Sequence, residues 1–226
     1  DMYNAGFYPF PTEETRWGYW ARHSYLNRIK PEGLPIYKEV YEMVKEKKHF
    51  VLTTNVDHQF QKSGFNDTEV FATQGDYGLI QCIKACHQKT YDAVDSFKQM
   101  VRETKDCKIP SYMVPKCPVC GGPMAMNLRC NQYFVEDENW HKADDRFGEF
   151  LTENLDKEMV LLELGVGFNT PTIIRYPFEN LVREHNNISL VRLNLDEAVV
   201  PKSFGERAIG INEDIGQVLY DIAQVQ

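Results

Sequence analysis

A helical alternation of apolar and polar positions is clearest over residues 35–46. Pro35 opens it; Ile36, Val40, Met43 and Val44 share one face, and Lys38, Glu39, Glu42, Lys45 and Glu46 take the other. That pattern predicts an amphipathic helix with proline in its first turn. It leads directly into Phe50-Val51-Leu52-Thr53-Thr54, whose β-branched and aromatic residues predict a short buried strand. Two apolar runs resemble it. One covers 160–164 and ends in Gly165-Val166-Gly167-Phe168-Asn169; the other covers 190–195 and contains Asn194. Helical patterns fall around 173–184 and 215–223. The alternation predicts an α/β fold in which helices cover a parallel sheet. Near the start, Tyr8-Pro9-Phe10-Pro11 reads as a turn, and Thr12 with Glu13 and Glu14 opens a helix. Trp17, Tyr19, Trp20 and Tyr25 follow on it as core or as a domain contact.

Between the first and second strands lies a long insertion, about residues 76–149. It holds Cys82 and Cys86, then Cys117-Pro118-Val119-Cys120-Gly121-Gly122. Two close cysteine pairs, the second on a knuckle whose glycines let amides face the sulfurs, predict a four-thiolate structural zinc (Zn2+) site. The thirty residues between the pairs read as one long loop. Cys107, Cys130 and His87 are left as structural residues. Four protein ligands leave no open position, so this metal holds the fold and does no chemistry.

Composition narrows the classes. The chain has 226 residues, 42% hydrophobic and 26% charged, with a net charge of −8. It is long enough for one elaborated domain or two small ones. The acidic balance argues against a nucleic-acid partner, and no apolar run has the length of a membrane span. Paired, unoxidised cysteines read as a reducing, cytoplasmic compartment.

The candidate chemistry sits at the strand ends. Asn55 and Asp57 follow the 50–54 strand at once, and ligands of open parallel sheets gather at such carboxyl ends. A carboxamide and a carboxylate two residues apart can face one polar ligand, or form a solvated Asx turn. Gly165 and Gly167 suit a backbone approached by phosphate or sugar, or a plain tight turn. Thr73-Gln74-Gly75-Asp76 lies a short loop from Asn55 and Asp57.

The order of these pieces resembles the sirtuin family across nearly the whole chain: Thr54-Asn55-Val56-Asp57, Gln74-Gly75, the four-cysteine insertion, Gly165-Val166-Gly167, Asn194 and Asp214-Ile215. The resemblance implies a Rossmann-like NAD-binding domain, here 36–75 with 150–226. It also implies a small helical and zinc-binding domain, here 1–35 with 76–149, and an active site in the cleft between the two. Asn55 and Asp57 match the family's Asn-x-Asp at the nicotinamide end of NAD, the co-substrate. Gln74 falls at the position of the family's catalytic His. Gly165, Val166 and Gly167 stand where the family contacts phosphate and ribose, Asn194 near the adenosine ribose, and Asp214 with Ile215 near adenine. Phe134, Val135 and Glu136 stand at the segment that pairs with an acyl-lysine peptide. Trp140 and His141 are expected to pack beside that segment, and Asp144 and Asp145 to lie on a solvated helix face.

Three departures follow. The family's N-terminal strand and Gly-Ala-Gly-x-Ser phosphate loop are absent and are expected to precede residue 1. A βαβ unit of about 30 residues or more would carry them. Gln74 replaces a base: a carboxamide has no proton equilibrium near neutral pH. Thr54 stands where sirtuins usually have Gln, and the peptide segment is altered. Thr53-Thr54-Asn55-Val56-Asp57, Met126-Asn127-Leu128-Arg129-Cys130 and the 162–171 run together resemble the macrodomain-linked sirtuins of microbes. That group implies NAD-dependent protein ADP-ribosyl transfer with release of nicotinamide. It also implies a lipoylated carrier protein similar to the glycine-cleavage H protein as acceptor, and a partner macrodomain that removes the mark. Lysine deacylation, NAD hydrolysis and a non-catalytic NAD- or ADP-ribose-binding module are the alternatives.

Overall fold

The computed structural model describes residues 2–169 and 171–225, so Thr170 of the 162–171 run lies outside the described residues. The chain divides into two compact units. The first takes residues 1–33, 54–62 and 72–142; the second takes 34–53, 63–71 and 143–226.

In the first unit, α1 (Met2–Ala5) precedes α2 (Glu13–Ser24), which continues as one π-helical turn over Tyr25–Ile29. Thr12 caps α2, its hydroxyl accepting the Thr15 N–H at 3.2 Å, and Glu13 and Glu14 favour the positive end of the helix dipole. Thr12→Ala is expected to cost about 1 kcal/mol of stability, read as a lower urea midpoint with unchanged slope. The aromatic run on α2 is core: Trp17 is fully buried beside Phe97, with Trp20, Tyr77 and Met100 in the same cluster. An antiparallel sheet in the order β4–β3–β5 backs it, formed by β3 (Gly75–Cys82), β4 (Thr90–Asp92) and β5 (Met124–Leu128). The stretch between the cysteine pairs is not a bare loop. It holds β4, then α5 (Val94–Glu103). Asp92 caps α5 through the Val94 N–H at 2.9 Å, and Phe97 and Met100 bury one face. The signal was an apolar pattern at positions 94, 97, 100 and 101, with a capping aspartate ahead of it.

In the second unit, α3 (Pro35–Val44) begins at Pro35 as the pattern predicts. It is followed by β1 (Val51–Thr53), while α4 (Gln59–Lys62), the next helical turn, belongs to the first unit. β1 pairs with β2 (Val70–Ala72). The parallel sheet is formed by β6 (Met159–Leu164), β7 (Ile188–Leu193) and β8 (Ala208–Ile211), in that order. The 50–54 strand is therefore paired locally with 70–72 among the described residues: an apolar run announces a strand, not its neighbour. α6 (Glu138–Asn154) leads into β6, α7 (Arg175–Glu184) crosses between β6 and β7, and α8 (Ile215–Val225) closes the chain. Asp144 and Asp145 are exposed on α6. Leu161, Val182, Ile188, Leu190 and Phe204 form the core under β7.

Within this core lies a charged network. Arg192 donates to both oxygens of Glu163 at 2.6 and 2.9 Å and to Glu179 at 3.0 Å, and Arg175 lies 3.6 Å from Glu163. Glu163, Arg175 and Arg192 are each about 1% exposed or less. Such buried ions are tolerated only as mutual partners. They tie β6, β7 and α7 together and so fix the strand ends that follow.

Candidate active site and zinc centre

The four cysteines converge. Their sulfurs all lie within 4.8 Å of one another, with Cys82–Cys120 at 3.8 Å and Cys86–Cys117 at 3.6 Å. A tetrahedral zinc with Zn–S bonds of about 2.3 Å sets its sulfurs about 3.8 Å apart, so the cluster has the size the metal needs. All four are free thiols. Burial pushes the Cys82 thiol up, but the N–H groups of Cys86 and Lys84 and the neighbouring sulfurs outweigh it and bring it down to about 7. The N–H groups of Cys120 and Val119 act likewise on Cys117, which is lowered. His87 joins the periphery, with Nδ1 at 3.1 Å from Cys86 Sγ and Nε2 at 2.8 Å from the Tyr91 hydroxyl. Where zinc is bound, Cys82, Cys86, Cys117 and Cys120 hold it.

β3 starts at the other end of the same strand, and there the 55–62 and 73–78 segments meet. The Tyr77 N–H bonds the Val56 carbonyl at 2.9 Å. Asp57 accepts the Gln59 N–H at 3.1 Å and so starts α4. Burial pushes its carboxyl up, and the nearby Asp76 charge adds to that, against the pull of the Gln59 N–H. Asn55 is exposed and Gln74 half-buried. Gln74 sits in the turn before β3, its carbonyl accepting the Arg129 N–H at 3.0 Å. Gly75 has φ +100, and a Cβ there would lie 1.9 Å from the Asn127 carbonyl oxygen, so only glycine fits after Gln74.

Asp76, already near Gln74 in the sequence, completes this seam together with Arg28 and His58, which the sequence did not single out. Asp76 receives Arg28 Nε at 2.7 Å, the Gly78 N–H at 2.5 Å and His58 Nδ1 at 2.9 Å. His58 adopts φ +64. Desolvation pushes the Asp76 carboxyl up, but His58 and Arg28 outweigh it and hold it below the usual carboxylate value. Lys62 binds the carbonyls of Arg28, Ile29 and Pro31 and so ends the π-helical turn that carries Arg28. No sequence motif joins Arg28, His58 and Asp76, which are far apart in the chain; only the fold does.

Phe134, Val135 and Glu136 follow β5. Val135 is buried, and its N–H and carbonyl are bonded to the side chains of Gln81 (2.9 Å) and Asn127 (3.0 Å). Arg129 pairs with Glu136 at 2.6 Å, lies over the rings of Phe134 and Trp140, and donates to the Thr73 carbonyl. Trp140 donates to that same carbonyl at 3.2 Å. The 134–136 segment is thus fastened to the turn bearing Gln74. His141 stacks edge-on against Trp140.

The remaining predicted residues gather in the second unit, beyond the carboxyl ends of β6, β7 and β8. Gly165 has φ +66, and a Cβ there would meet Ile215 at 3.4 Å. Asn194 donates to the Val166 carbonyl at 3.3 Å and accepts the N–H groups of Asp196 and Glu197. Glu197 caps the loop by accepting the Phe168 N–H at 3.0 Å, and its carboxylate lies 2.7 Å from where a Gly167 Cβ would be. Asp214 caps α8 through the Gln217 N–H at 3.1 Å. One carboxamide therefore fastens the Gly165–Gly167 turn to the loop after β7, and Ile215 lies against Gly165.

No protein-family model matches this sequence. A protein ADP-ribosyltransferase of Staphylococcus aureus (strain Mu50) is 32% identical over 220 residues, covering 97% of this chain and 70% of that protein. A probable bifunctional ADP-ribose hydrolase/ADP-ribosyltransferase of Fusarium oxysporum f. sp. cubense is 31% identical over 235 residues, 95% of this chain and 38% of that protein. Among solved structures, a Sir2–p53 peptide–NAD+ complex matches with TM-score 0.61 at 18% identity, over 97% of this chain and 84% of that one. A Sir2 homolog–NAD complex matches with TM-score 0.60 at 15% identity, over 94% and 71%. These structures share the fold.

Proposed function

This chain belongs to the sirtuin family of NAD-dependent enzymes, and we propose that its reaction is transfer of ADP-ribose from NAD to a protein, with release of nicotinamide. The observation that carries this reading is the 32% identity to the Staphylococcus ADP-ribosyltransferase along 97% of the chain. The residues agree with it. Asn55 and Asp57 are assigned to the nicotinamide end, where a carboxylate favours the positive charge that develops at the ribose C1′ as the glycosidic bond breaks. Gln74 is assigned to the ribose as an orienting group. It cannot take a proton, which removes the base that deacylation needs, worth about 10²–10⁴-fold. Gly165, Val166, Gly167, Asn194, Asp214 and Ile215 are assigned to the phosphate, ribose and adenine portions. Phe134, Val135 and Glu136 are assigned to the acceptor side.

The acceptor we propose is a lipoylated carrier protein of the cytoplasm, similar to the glycine-cleavage H protein, with a macrodomain hydrolase as the reversing partner. The Fusarium relative, whose name joins hydrolase and transferase, supports the second half of that proposal. Among the described residues no helix is long and apolar enough to cross a membrane.

Intact-mass spectrometry on one mixture tests this. It would contain the protein, NAD, the carrier with and without lipoyl, and an acetyl-lysine peptide. An ADP-ribose-sized gain on the lipoylated carrier alone is expected. Loss of acetyl from the peptide would replace transfer by deacylation, and nicotinamide release with neither substrate changed would replace it by NAD hydrolysis.

A further inference from the structure

We propose that His58 is the proton acceptor of the transfer, held for that role by Asp76 and Arg28; this rests on the transferase reading above. The need for such a group follows from Gln74. An acceptor nucleophile that carries a proton must lose it, and a carboxamide cannot receive it. Three side chains at the seam between the 55–62 and 73–78 segments can hold a proton there: Asp57, His58 and Asp76. Asp76 is spent, since its two oxygens already receive His58, Arg28 and the Gly78 N–H. Asp57 is assigned to charge stabilisation and its carboxylate also starts α4. His58 differs from both. Its Nδ1 is engaged by Asp76 at 2.9 Å, the ring retains 27% of its surface, and Nε2 has no protein partner among the described residues.

The arrangement is that of an imidazole prepared by a carboxylate. With Nδ1 donating to Asp76, the neutral ring carries its lone pair on Nε2, and the carboxylate fixes that tautomer and the ring's orientation. Arg28 is bonded to Asp76, and Lys62 is bonded to the backbone that carries Arg28, so the charged groups facing His58 are Asp57, Asp76, Arg28 and Lys62. The left-handed backbone at His58 turns the ring across to β3, eighteen residues on, and non-glycine residues held in that region concentrate at working sites. Its neighbour in sequence is Asp57, and Asp76 is two residues past Gln74.

The step balances simply. The acceptor's nucleophilic atom forms a bond to C1′ while the C1′–N bond breaks, its electron pair passing to the pyridine nitrogen of nicotinamide, which leaves neutral. The acceptor's proton goes to His58 Nε2 and then to water.

Two variants separate this from a purely structural staple. His58→Asn suits a left-handed backbone and keeps an N–H donor for Asp76, but accepts no proton. His58→Gly is unstrained at this φ and leaves room for added imidazole. The assay follows both nicotinamide release and mass gain on the lipoylated carrier. Each variant is expected to lose about 10²–10⁴-fold in turnover, with NAD affinity by calorimetry unchanged, and imidazole is expected to restore His58→Gly. Full activity in His58→Asn, or a folded His58→Gly that imidazole does not restore, would overturn the proposal. If the natural protein releases nicotinamide without labelling the carrier, the transferase reading fails, while rescue of nicotinamide release still decides His58. A natural protein inert in both assays overturns the two together.

Discussion

Cys117→Ala is expected to release the metal and unravel the knuckle that closes the first unit. Structural zinc contributes about 10–16 kcal/mol of apparent binding free energy near neutral pH. A whole domain is stable by only about 5–15 kcal/mol, so loss of the metal is comparable to loss of the fold. Cys117 is buried, and it counts with Cys82, Met124 and Ile80 in one core cluster with Trp17 and Phe97. The consequence should travel along β3, because that strand ends in Cys82 and begins at Gly75-Asp76. Metal analysis of the natural protein should give one zinc per chain. Chelation should open amide exchange over about 82–123 and suppress activity, and added zinc should restore both. An unchanged thermal midpoint in Cys117→Ala, with no zinc in the natural protein, would remove the metal from this account.

Much of the second unit was legible because its elements announce themselves locally. Pro35 starts α3, the 160–164 run lies in β6, the 190–195 run overlaps β7 but the strand ends at Leu193 and leaves Asn194 and Leu195 in the following loop, and the 215–223 pattern is a helix. Strand pairing was not legible. A three-residue strand such as β1 has too little sequence to specify its neighbour, and β2, β4 and β8 are equally short on signal. The zinc ligands could be read because thiolate spacing is itself the chemistry. Asn55 and Asp57 stood out at a strand end and Gln74 through family resemblance alone, whereas the tie between their segments runs through backbone groups of Val56 and Tyr77, which carry no sequence signal. Arg28, His58 and Asp76 had no motif at all. An ion pair assembled from a π-helical turn, a left-handed residue and a strand depends on three-dimensional proximity that no spacing rule encodes.

The second large effect is expected from Asn55 and Asp57, where activity and stability should part. Asn55→Ala is expected to lower nicotinamide release and ADP-ribosyl transfer together by about 10²–10³-fold, the usual effect of removing one group aimed at developing charge. Asp57→Asn should do at least as much to turnover, and its stability should move the other way. Burial raises the Asp57 carboxyl above its ordinary value. A carboxyl raised on folding contributes stability in its protonated form, below the ordinary carboxylate range, and loses that contribution as pH climbs through the raised value. At neutral pH the charge is therefore a burden on the fold. The substitution keeps an oxygen for the Gln59 N–H and removes the charge, so its thermal midpoint at neutral pH should equal or exceed that of the natural protein, with the difference shrinking as pH falls. Such opposition between activity and stability is what a strained working group produces. Gln74→His, by contrast, restores a group that can take a proton where deacylating sirtuins have one, and should raise removal of acetyl from a lysine peptide. If Asn55→Ala and Asp57→Asn both keep full transfer, the nicotinamide end lies elsewhere. If Asp57→Asn is inactive and also less stable at neutral pH, Asp57 is a structural residue whose carboxylate the α4 turn requires.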